Sequence, residues 1–505
     1  MATTADPGAG LAEPREQWLT AVATVSGTGS AHAVNGRALL SSAGWMAASH
    51  VVAQGVAYGS LVLLARWLSP DVFGTIAVGT AIVYFAVLLI DRGTWGGIIV
   101  QPELDRDMLA RAFRRCLRTG IVLAVAMVAA AHAVVDQFAS GGDAAAVAAL
   151  GLCLPLHAIS VVPMAVLQRS MQFRRLGGLN AAANILSAAA ALLMAMAGFG
   201  VWALVARQVL LSGGLAVMSS VLCLRTFRAE GLTADRRRPH LRPADQERWF
   251  FVFAVTLVLT LNLDFLVLGE SANATVVGLY SLAFTIAMAP CIHLSDQVGK
   301  VLFAAAATAP EAVRQRTEQA VQLMSALLLP LLPVGILAAP SVLPAVFGPE
   351  WEPMVVPFQI LLAAGVGHAI VNCIGEALSG CGHIAFRAKV IVARCVVTLP
   401  LLVVLVAFDG MRGAALAQLI SLLAYAAIYA TAGARRAGTT PAALWRRLRP
   451  IALTVGLQTF AGCAVLLAMG GSGDAGMTAA CAAGAVGLTV GGPLLFRRVG
   501  SVRAR

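Results

Sequence analysis

About fourteen apolar stretches of membrane-spanning length run between Leu39 and Phe496 of this 505-residue chain. Each is about 20 residues long, the length an α-helix needs to cross a hydrocarbon core about 30 Å thick. A soluble core stops growing near about 250–300 residues and could not bury this much apolar surface. Only 12% of the residues are charged, against about a quarter in soluble domains. A strand in lipid would need a closed barrel with alternating polarity, and that pattern is absent here. The sequence therefore predicts an all-α polytopic membrane protein. The predicted spans are 39–65, 72–92, 113–135, 144–168, 176–197, 201–224, 249–268, 276–299, 319–341, 354–380, 386–407, 411–433, 450–470 and 476–496.

The net charge of +12 is distributed by side. Alternate connections hold about thirty basic residues, among them Arg111, Arg114, Arg115, Arg118, the run Arg236 to Arg238, Arg387, Arg435 and Arg436. The intervening connections hold only Arg66 and Arg412, together with acids such as Asp71, Glu270 and Asp409. By the positive-inside rule both termini and the 225–248 connection are expected in the cytoplasm. The same rule accounts for the basic balance without a nucleic-acid partner. Residues 1–36 lack apolar periodicity and read as a flexible cytoplasmic tail.

The two groups of spans 1–6 and 7–12 repeat at an offset of about 204–211 residues. Asp71-Val72-Phe73-Gly74 corresponds to Val276-Val277-Gly278-Leu279. Gly200 through Gln208 corresponds to Gly410 through Gln418. An even number of helices per copy makes the halves parallel, related by a pseudo-twofold axis along the membrane normal. The expected organisation is a tail (1–36), a six-helix bundle (37–224), a basic linker (225–248), a second six-helix bundle (249–433) and two further helices with a basic tail (434–505).

The stretch Leu64-Ala65-Arg66-Trp67-Leu68-Ser69-Pro70-Asp71-Val72-Phe73-Gly74 resembles the opening motif of bacterial polysaccharide flippases. These belong to the multidrug/oligosaccharidyl-lipid/polysaccharide exporter superfamily. Further similar segments are Gly198 through Val205, Asn262-Leu263-Asp264, Gly278 through Ala283 and Val346-Phe347-Gly348-Pro349-Glu350-Trp351. The resemblance covers about residues 40–435, and the second half has Ala272-Asn273-Ala274-Thr275 where a second motif would stand. It implies a secondary transporter in the bacterial inner membrane. Such a protein flips undecaprenyl-pyrophosphate-linked oligosaccharide units toward the periplasm by alternating access. It also implies a polysaccharide polymerase and a chain-length regulator as partners, with H+ or Na+ as the coupling ion.

Charge at membrane depth costs about 2.5–3.5 kcal/mol on insertion scales, so such groups face a cavity or a partner. Arg394 lies about eight residues, or about 12 Å, into its span. It reads either as a cationic group for a pyrophosphate or as the ion-pair partner of Glu376 on the preceding span. Arg207 either lines the same cavity or snorkels to the headgroups. Asp264 reads as an ion-coupling carboxylate or as a solvated group near a span end, and Glu376 is a second coupling candidate. Polar stripes at i, i+4 spacing mark single helix faces: His50, Gln54 and Tyr58; Thr256, Thr260 and Asp264; Asn180 and Asn184; His368, Asn372 and Glu376. These are expected either to bond between helices or to offer donors and acceptors to carbohydrate hydroxyls. Asp91 with Arg92 and Asp296 with Lys300 read as local ion pairs.

Nine cysteines are scattered without metal-ligand spacing, and no cofactor or metal is expected. The sequence has no nucleophile elbow, P-loop or HExxH motif, and no soluble insert large enough for an ATPase. It is therefore not read as an enzyme. Competing readings are a drug or small-molecule exporter of the same superfamily and a peptidoglycan-precursor flippase. An integral-membrane glycosyltransferase or polymerase is a third, which the short connections disfavour.

Overall fold

The computed structural model of the protein describes residues 36–91, 94, 98, 106–139, 142–169, 173–230, 244–308, 313–469 and 475–487. The expected tail thus lies outside the described residues except for Gly36, as does the middle of the linker. All regular elements are helical: α1 (Gly36–Trp67), α2 (Pro70–Asp91), α3 (Arg106–Phe138), α4 (Ala144–Leu150), α5 (Cys153–Arg169), α6 (Phe173–Met196), α7 (Val201–Glu230) and α8 (Ala244–Ser271). They continue as α9 (Ala274–Ala287), α10 (Ala289–Thr308), α11 (Val313–Leu328), α12 (Leu331–Phe347), a 3-10 turn (Pro349–Met354), α13 (Val355–Gly380), α14 (Ile384–Ile428), α15 (Pro441–Ala468) and α16 (Ala475–Val486). Helices are the required solution, because in lipid each backbone polar group must be satisfied within its own segment.

Among the described residues, eleven helical segments are long and apolar enough to cross a membrane. Several differ in detail from the spans expected from hydropathy. The 144–168 stretch is broken by a turn at Gly151 and Leu152, and a side-chain cap starts α4: Asp143 Oδ1 accepts from the amides of Ala145 (2.8 Å) and Ala146 (3.3 Å). The 319–341 stretch breaks between Leu328 and Leu331, at Pro330, which cannot donate to the helical ladder. The spans 386–407 and 411–433 are two helical arms, labelled together α14, divided as expected by a reversal with non-helical backbone at Asp409 (φ −141°) and Gly410 (φ 50°). Gly410 supplies the left-handed backbone that such a reversal needs. The two arms of α14 are so close there that a Cβ on Gly413 would strike the Leu405 carbonyl.

Helix pairing repeats across the chain. α1 packs along α6 in the first half, and α8 packs along α14, whose arms are the fifth and sixth spans, in the second. α2 packs against α9, which joins the halves. The contact is close because glycine faces glycine: a Cβ on Gly74 would meet the Ala274 carbonyl and lie 2.9 Å from the Gly278 nitrogen. A Cβ on Gly278 would meet the Pro70 carbonyl and lie 2.9 Å from the Gly74 nitrogen. Trp351 on the 3-10 turn donates from Nε1 to the Ala65 carbonyl (3.0 Å), and its ring meets Phe73 edge-on at 5.3 Å. Gly269 abuts the Phe138 carbonyl. These contacts gather at one end of the molecule, here called the tied end, where α1 turns into α2. The largest buried cluster, including Leu64, Phe73, Leu279, Tyr280, Phe347 and Trp351, draws residues from both halves.

The last two helices dock on the second half. Glu318 of α11 accepts from Arg447 Nε (2.8 Å), Thr439 Oγ1 (2.8 Å) and Arg314 Nε (3.2 Å). Gln458 of α15 donates to the Ala483 carbonyl of α16 at 3.2 Å. These side-chain bonds hold the appended pair through polar groups that would be costly if left alone.

Candidate functional site

The second half encloses two tiers of buried polar groups, supplied by α8, α9, α13 and both arms of α14. One tier centres on Arg387. Its Nη2 donates to Glu376 Oε1 and to Asn372 Oδ1, each at 2.8 Å, and its Nη1 donates to Ser379 Oγ at 2.8 Å. The guanidinium lies over the Phe253 ring at 4.1 Å. Asn372 reaches onward to Ser295 Oγ of α10 at 3.4 Å. A guanidinium 4% exposed is tolerable here because a carboxylate, an amide and a hydroxyl all receive its protons.

The second tier lies two helical turns further along α14, where Arg394 falls on the same face as Arg387. Arg394 Nη2 donates to Gln418 Oε1 (3.3 Å). Gln418 Nε2 donates to the Thr260 carbonyl (3.0 Å) and to Asp264 Oδ2 (3.4 Å). Asp264 Oδ2 also accepts from the Tyr280 hydroxyl at 2.6 Å. A guanidinium, an amide, a carboxylate and a phenol thus form one chain that runs from the N-terminal arm of α14 through its C-terminal arm and α8 to α9. Arg394 is 4% exposed and lies over the Tyr425 ring at 5.2 Å. Its Nε and Nη1 are buried without a hydrogen-bond partner among the described residues, as is Nδ1 of His368 on the facing α13.

Two sequence-based readings are corrected by this geometry. The partner of Glu376 is Arg387, not Arg394. Arg387 stands at the edge of a span, where the sequence places it in a cytoplasmic connection, yet it is buried. Asp264 is not a solvated carboxylate near a helix end: it is fully buried and hydrogen-bonded. Three members of the site were not among the expected site residues, namely Arg387, Gln418 and Tyr280. The seven-residue spacing of Arg387 and Arg394 would have shown one shared face, and Gln418 was visible as the repeat mate of Gln208.

The first half supplies the remaining candidates, in a separate group. Arg207 of α7 donates from Nη2 to the Ala57 carbonyl of α1 at 3.4 Å, beside Tyr58. It points at a neighbouring helix, not out toward headgroups. The Tyr58 hydroxyl is buried and without a partner among the described residues. Gln54 is half-buried on the same helix. Asn180 and Asn184 of α6 each donate to the carbonyl four residues back, of Leu176 (3.0 Å) and Asn180 (2.9 Å). The side chain of His50 lies outside the described residues. So do those of Arg92 and Lys300, the expected mates of Asp91 and Asp296.

The architecture matches solved membrane transport proteins. The lipid II flippase MurJ, in an inward closed conformation, superposes with a TM-score of 0.69 at 10% identity, over 90% of this chain and 99% of MurJ. An outward-facing multidrug resistance MATE family transporter of the MOP superfamily gives a TM-score of 0.51 at 15% identity, over 80% of this chain and 96% of that one. At these identities the likeness shows the fold alone, that of a bundle of membrane-spanning helices. The chain belongs to the family of polysaccharide biosynthesis proteins, whose family model matches residues 63–356. That segment begins in the α1–α2 motif and ends just past Trp351, so the two stretches that touch at the tied end lie near its two limits. The lipopolysaccharide biosynthesis protein WzxC of Escherichia coli (strain K12) is 25% identical over 383 residues, 72% of this chain and 74% of WzxC. The succinoglycan biosynthesis transport protein ExoT of Rhizobium meliloti (strain 1021) is 26% identical over 174 residues, 34% of this chain and 35% of ExoT. The chain is thus a multi-pass membrane transporter of polysaccharide biosynthesis and not an enzyme.

Proposed function

We propose that the protein moves undecaprenyl-pyrophosphate-linked oligosaccharide repeat units from the cytoplasmic to the periplasmic leaflet of the inner membrane. The two bundles, residues 37–224 and 249–433, alternate access around a passage between them. The observation that carries this reading is Arg394: a nearly fully buried guanidinium that has, among the described residues, two donor nitrogens unused and no carboxylate in direct contact. A buried cation in that condition is costly unless an anion completes it, and a diphosphate suits a guanidinium fork. Arg207, which faces α1 within the first half, is the second cationic candidate. Gln54, Tyr58, Asn180, Asn184 and Asn372 are neutral groups suited to sugar hydroxyls, and His50 shares their helix face.

Glu376 is committed to Arg387, so the coupling role falls to Asp264. Gln418 links that carboxylate to Arg394, so an anion arriving at Arg394 would compete for the guanidinium and loosen the hold of Gln418 on Asp264. The coupling ion is then a proton or Na+ taken up at the released carboxylate. In the same reading the ties at Ala65–Trp351 and Gly74–Gly278 close the periplasmic end, and both termini are cytoplasmic.

The test is surface polysaccharide in a flippase-null strain carrying each variant at matched membrane level. Arg394→Ala should abolish export, and Arg394→Lys should recover only part, because lysine keeps the charge and loses the fork. Full export by Arg394→Ala would remove Arg394 from substrate handling.

A further inference from the structure

Outside the buried tiers, α3 presents four arginines on one face. Arg111, Arg114, Arg115 and Arg118, at spacings i, i+3, i+4 and i+7, line a cavity of about 620 Å³ together with Thr119. All four are exposed, and Arg115 is steadied by a bond from Nη2 to Thr94 Oγ1 at 2.7 Å. Among the described residues no carboxylate forms an ion pair with Arg111, Arg114 or Arg118. The same face continues along the helix into an apolar stripe: Ile121, Val122 and Val125 are 48%, 65% and 64% exposed. Arg118 and Val125 are seven residues apart, so the change from four positive charges to bare hydrocarbon takes about 10 Å. A membrane-spanning helix with a topology signal would need the charges and the apolar stripe, but not the cavity that the arginines line.

We propose that this face of α3 is a binding site for a membrane lipid whose headgroup carries two phosphates. The headgroup sits among Arg111, Arg114, Arg115 and Arg118, and the chains lie along Ile121, Val122 and Val125. Charge complementarity selects the headgroup. A single phosphate would leave most of the four guanidiniums without a counter-ion, whereas two phosphates can receive bidentate bonds from adjacent arginines. The apolar stripe selects a lipid over a soluble anion, since free pyrophosphate would leave it unused. The site stands apart from Arg394 and does not depend on what the central passage carries.

The experiment is lipid titration of the purified full-length protein in detergent, read by native mass spectrometry. The probes are cardiolipin, undecaprenyl pyrophosphate, phosphatidylglycerol and inorganic pyrophosphate. The two diphosphate lipids should bind at least tenfold more tightly than phosphatidylglycerol or inorganic pyrophosphate. Arg114→Gln with Arg118→Gln should weaken them at least tenfold, while Arg435→Gln with Arg436→Gln, an exposed pair elsewhere, leaves them unchanged. Val122→Asn with Val125→Asn should weaken the lipids and not inorganic pyrophosphate, which guards against loss of fold in the arginine variant. Of the two diphosphate lipids, tighter binding of cardiolipin marks a resident lipid and tighter binding of undecaprenyl pyrophosphate marks a landing site for substrate; either supports the site. Wild-type lipid retention by the Arg114/Arg118 variant, or phosphatidylglycerol binding as tightly as cardiolipin, overturns it and leaves the arginines as a topology signal.

Discussion

Gly74 and Gly278 face one another across the two halves so closely that each occupies the space where the other helix's neighbouring carbonyl would meet a Cβ. The contact is reciprocal: Gly74 is limited by Ala274 and Gly278, and Gly278 is limited by Pro70 and Gly74. Such self-complementarity is the mark of a two-fold relation, and the two glycines are repeat mates in the sequence. The obstacle on each side is backbone, which cannot rotate away as a side chain can.

Gly74→Ala and Gly278→Ala should each therefore lower stability by about 1–3 kcal/mol, the usual cost of overpacking a close contact. Gly55→Ala and Gly59→Ala on α1 meet nothing within 4 Å. They should be neutral or gain up to about 1 kcal/mol from helix propensity. Thermal melts of the purified variants check the contrast in sign. Equal effects at all four positions would mean that the two halves do not meet at these glycines.

The all-helical class and the repeat were legible because both rest on features that a one-dimensional pattern carries. Hydropathy over twenty residues shows a span, and Gly410 marked the reversal in α14. Depth inside the bundle was not legible to the same degree. Arg387 stands three residues into α14 and so counted with the connection, yet α13 covers it with Glu376, Asn372 and Ser379. Asp264 lies seven residues from the end of α8, near enough to suggest water, but α9 and the second arm of α14 close over it. Neither arm's position follows from local sequence, because both are set by contacts between residues more than a hundred apart, such as Gln418 with Thr260.

The Tyr280 hydroxyl gives Asp264 its shortest hydrogen bond, 2.6 Å. Tyr280→Phe keeps the ring and its edge contact with Phe265 (5.7 Å) while leaving one carboxylate oxygen with the long bond from Gln418 alone. Losing a bond to a charged group costs about 1.5–3 kcal/mol, so a stability loss in that range is expected. Asp264→Asn should lose less stability than Tyr280→Phe, because an amide oxygen still accepts from the phenol. If Asp264 couples the ion, Asp264→Asn should nevertheless lose export. Export unchanged in Asp264→Asn at matched expression would assign that residue a structural role only.

Trp351 ties the 3-10 turn of the second half to α1 of the first. Trp351→Phe should cost about 1–3 kcal/mol, since the Ala65 carbonyl then lacks its buried donor. Trp351→Ala should cost about 3–5 kcal/mol by also emptying the space beside Phe73. If the tied end opens during transport, both variants should favour the open state. A cysteine at position 65 should then react faster with a membrane-impermeant maleimide in the Trp351→Phe background than in the wild type. An unchanged labelling rate would show that this tie does not hold the end closed.

Arg387 pairs with Glu376 and Arg394 does not, and a pair of double-mutant cycles reads the difference. Glu376→Ala strands the buried Arg387 guanidinium, and removing one partner of a buried ion pair costs about 3–5 kcal/mol. Arg387→Ala with Glu376→Ala strands neither charge, so the double variant should recover part of the loss and the cycle should give a coupling of about 1–3 kcal/mol. Arg394 shares no hydrogen-bond partner with Glu376: its bonded neighbour is Gln418, on the other arm of α14. The Arg394/Glu376 cycle should therefore be additive within about 0.5 kcal/mol. The same logic extends to export. If Arg394 holds the substrate's anion, Glu376→Ala should not rescue Arg394→Ala, because the defect is then a missing anion-binding group and not an orphaned carboxylate. Melting temperatures and surface polysaccharide, measured on the same set of variants, read the two cycles independently. Rescue of export by the Arg394→Ala, Glu376→Ala double variant would mean that the two residues pair during the transport cycle after all, and would move the substrate's anchor elsewhere.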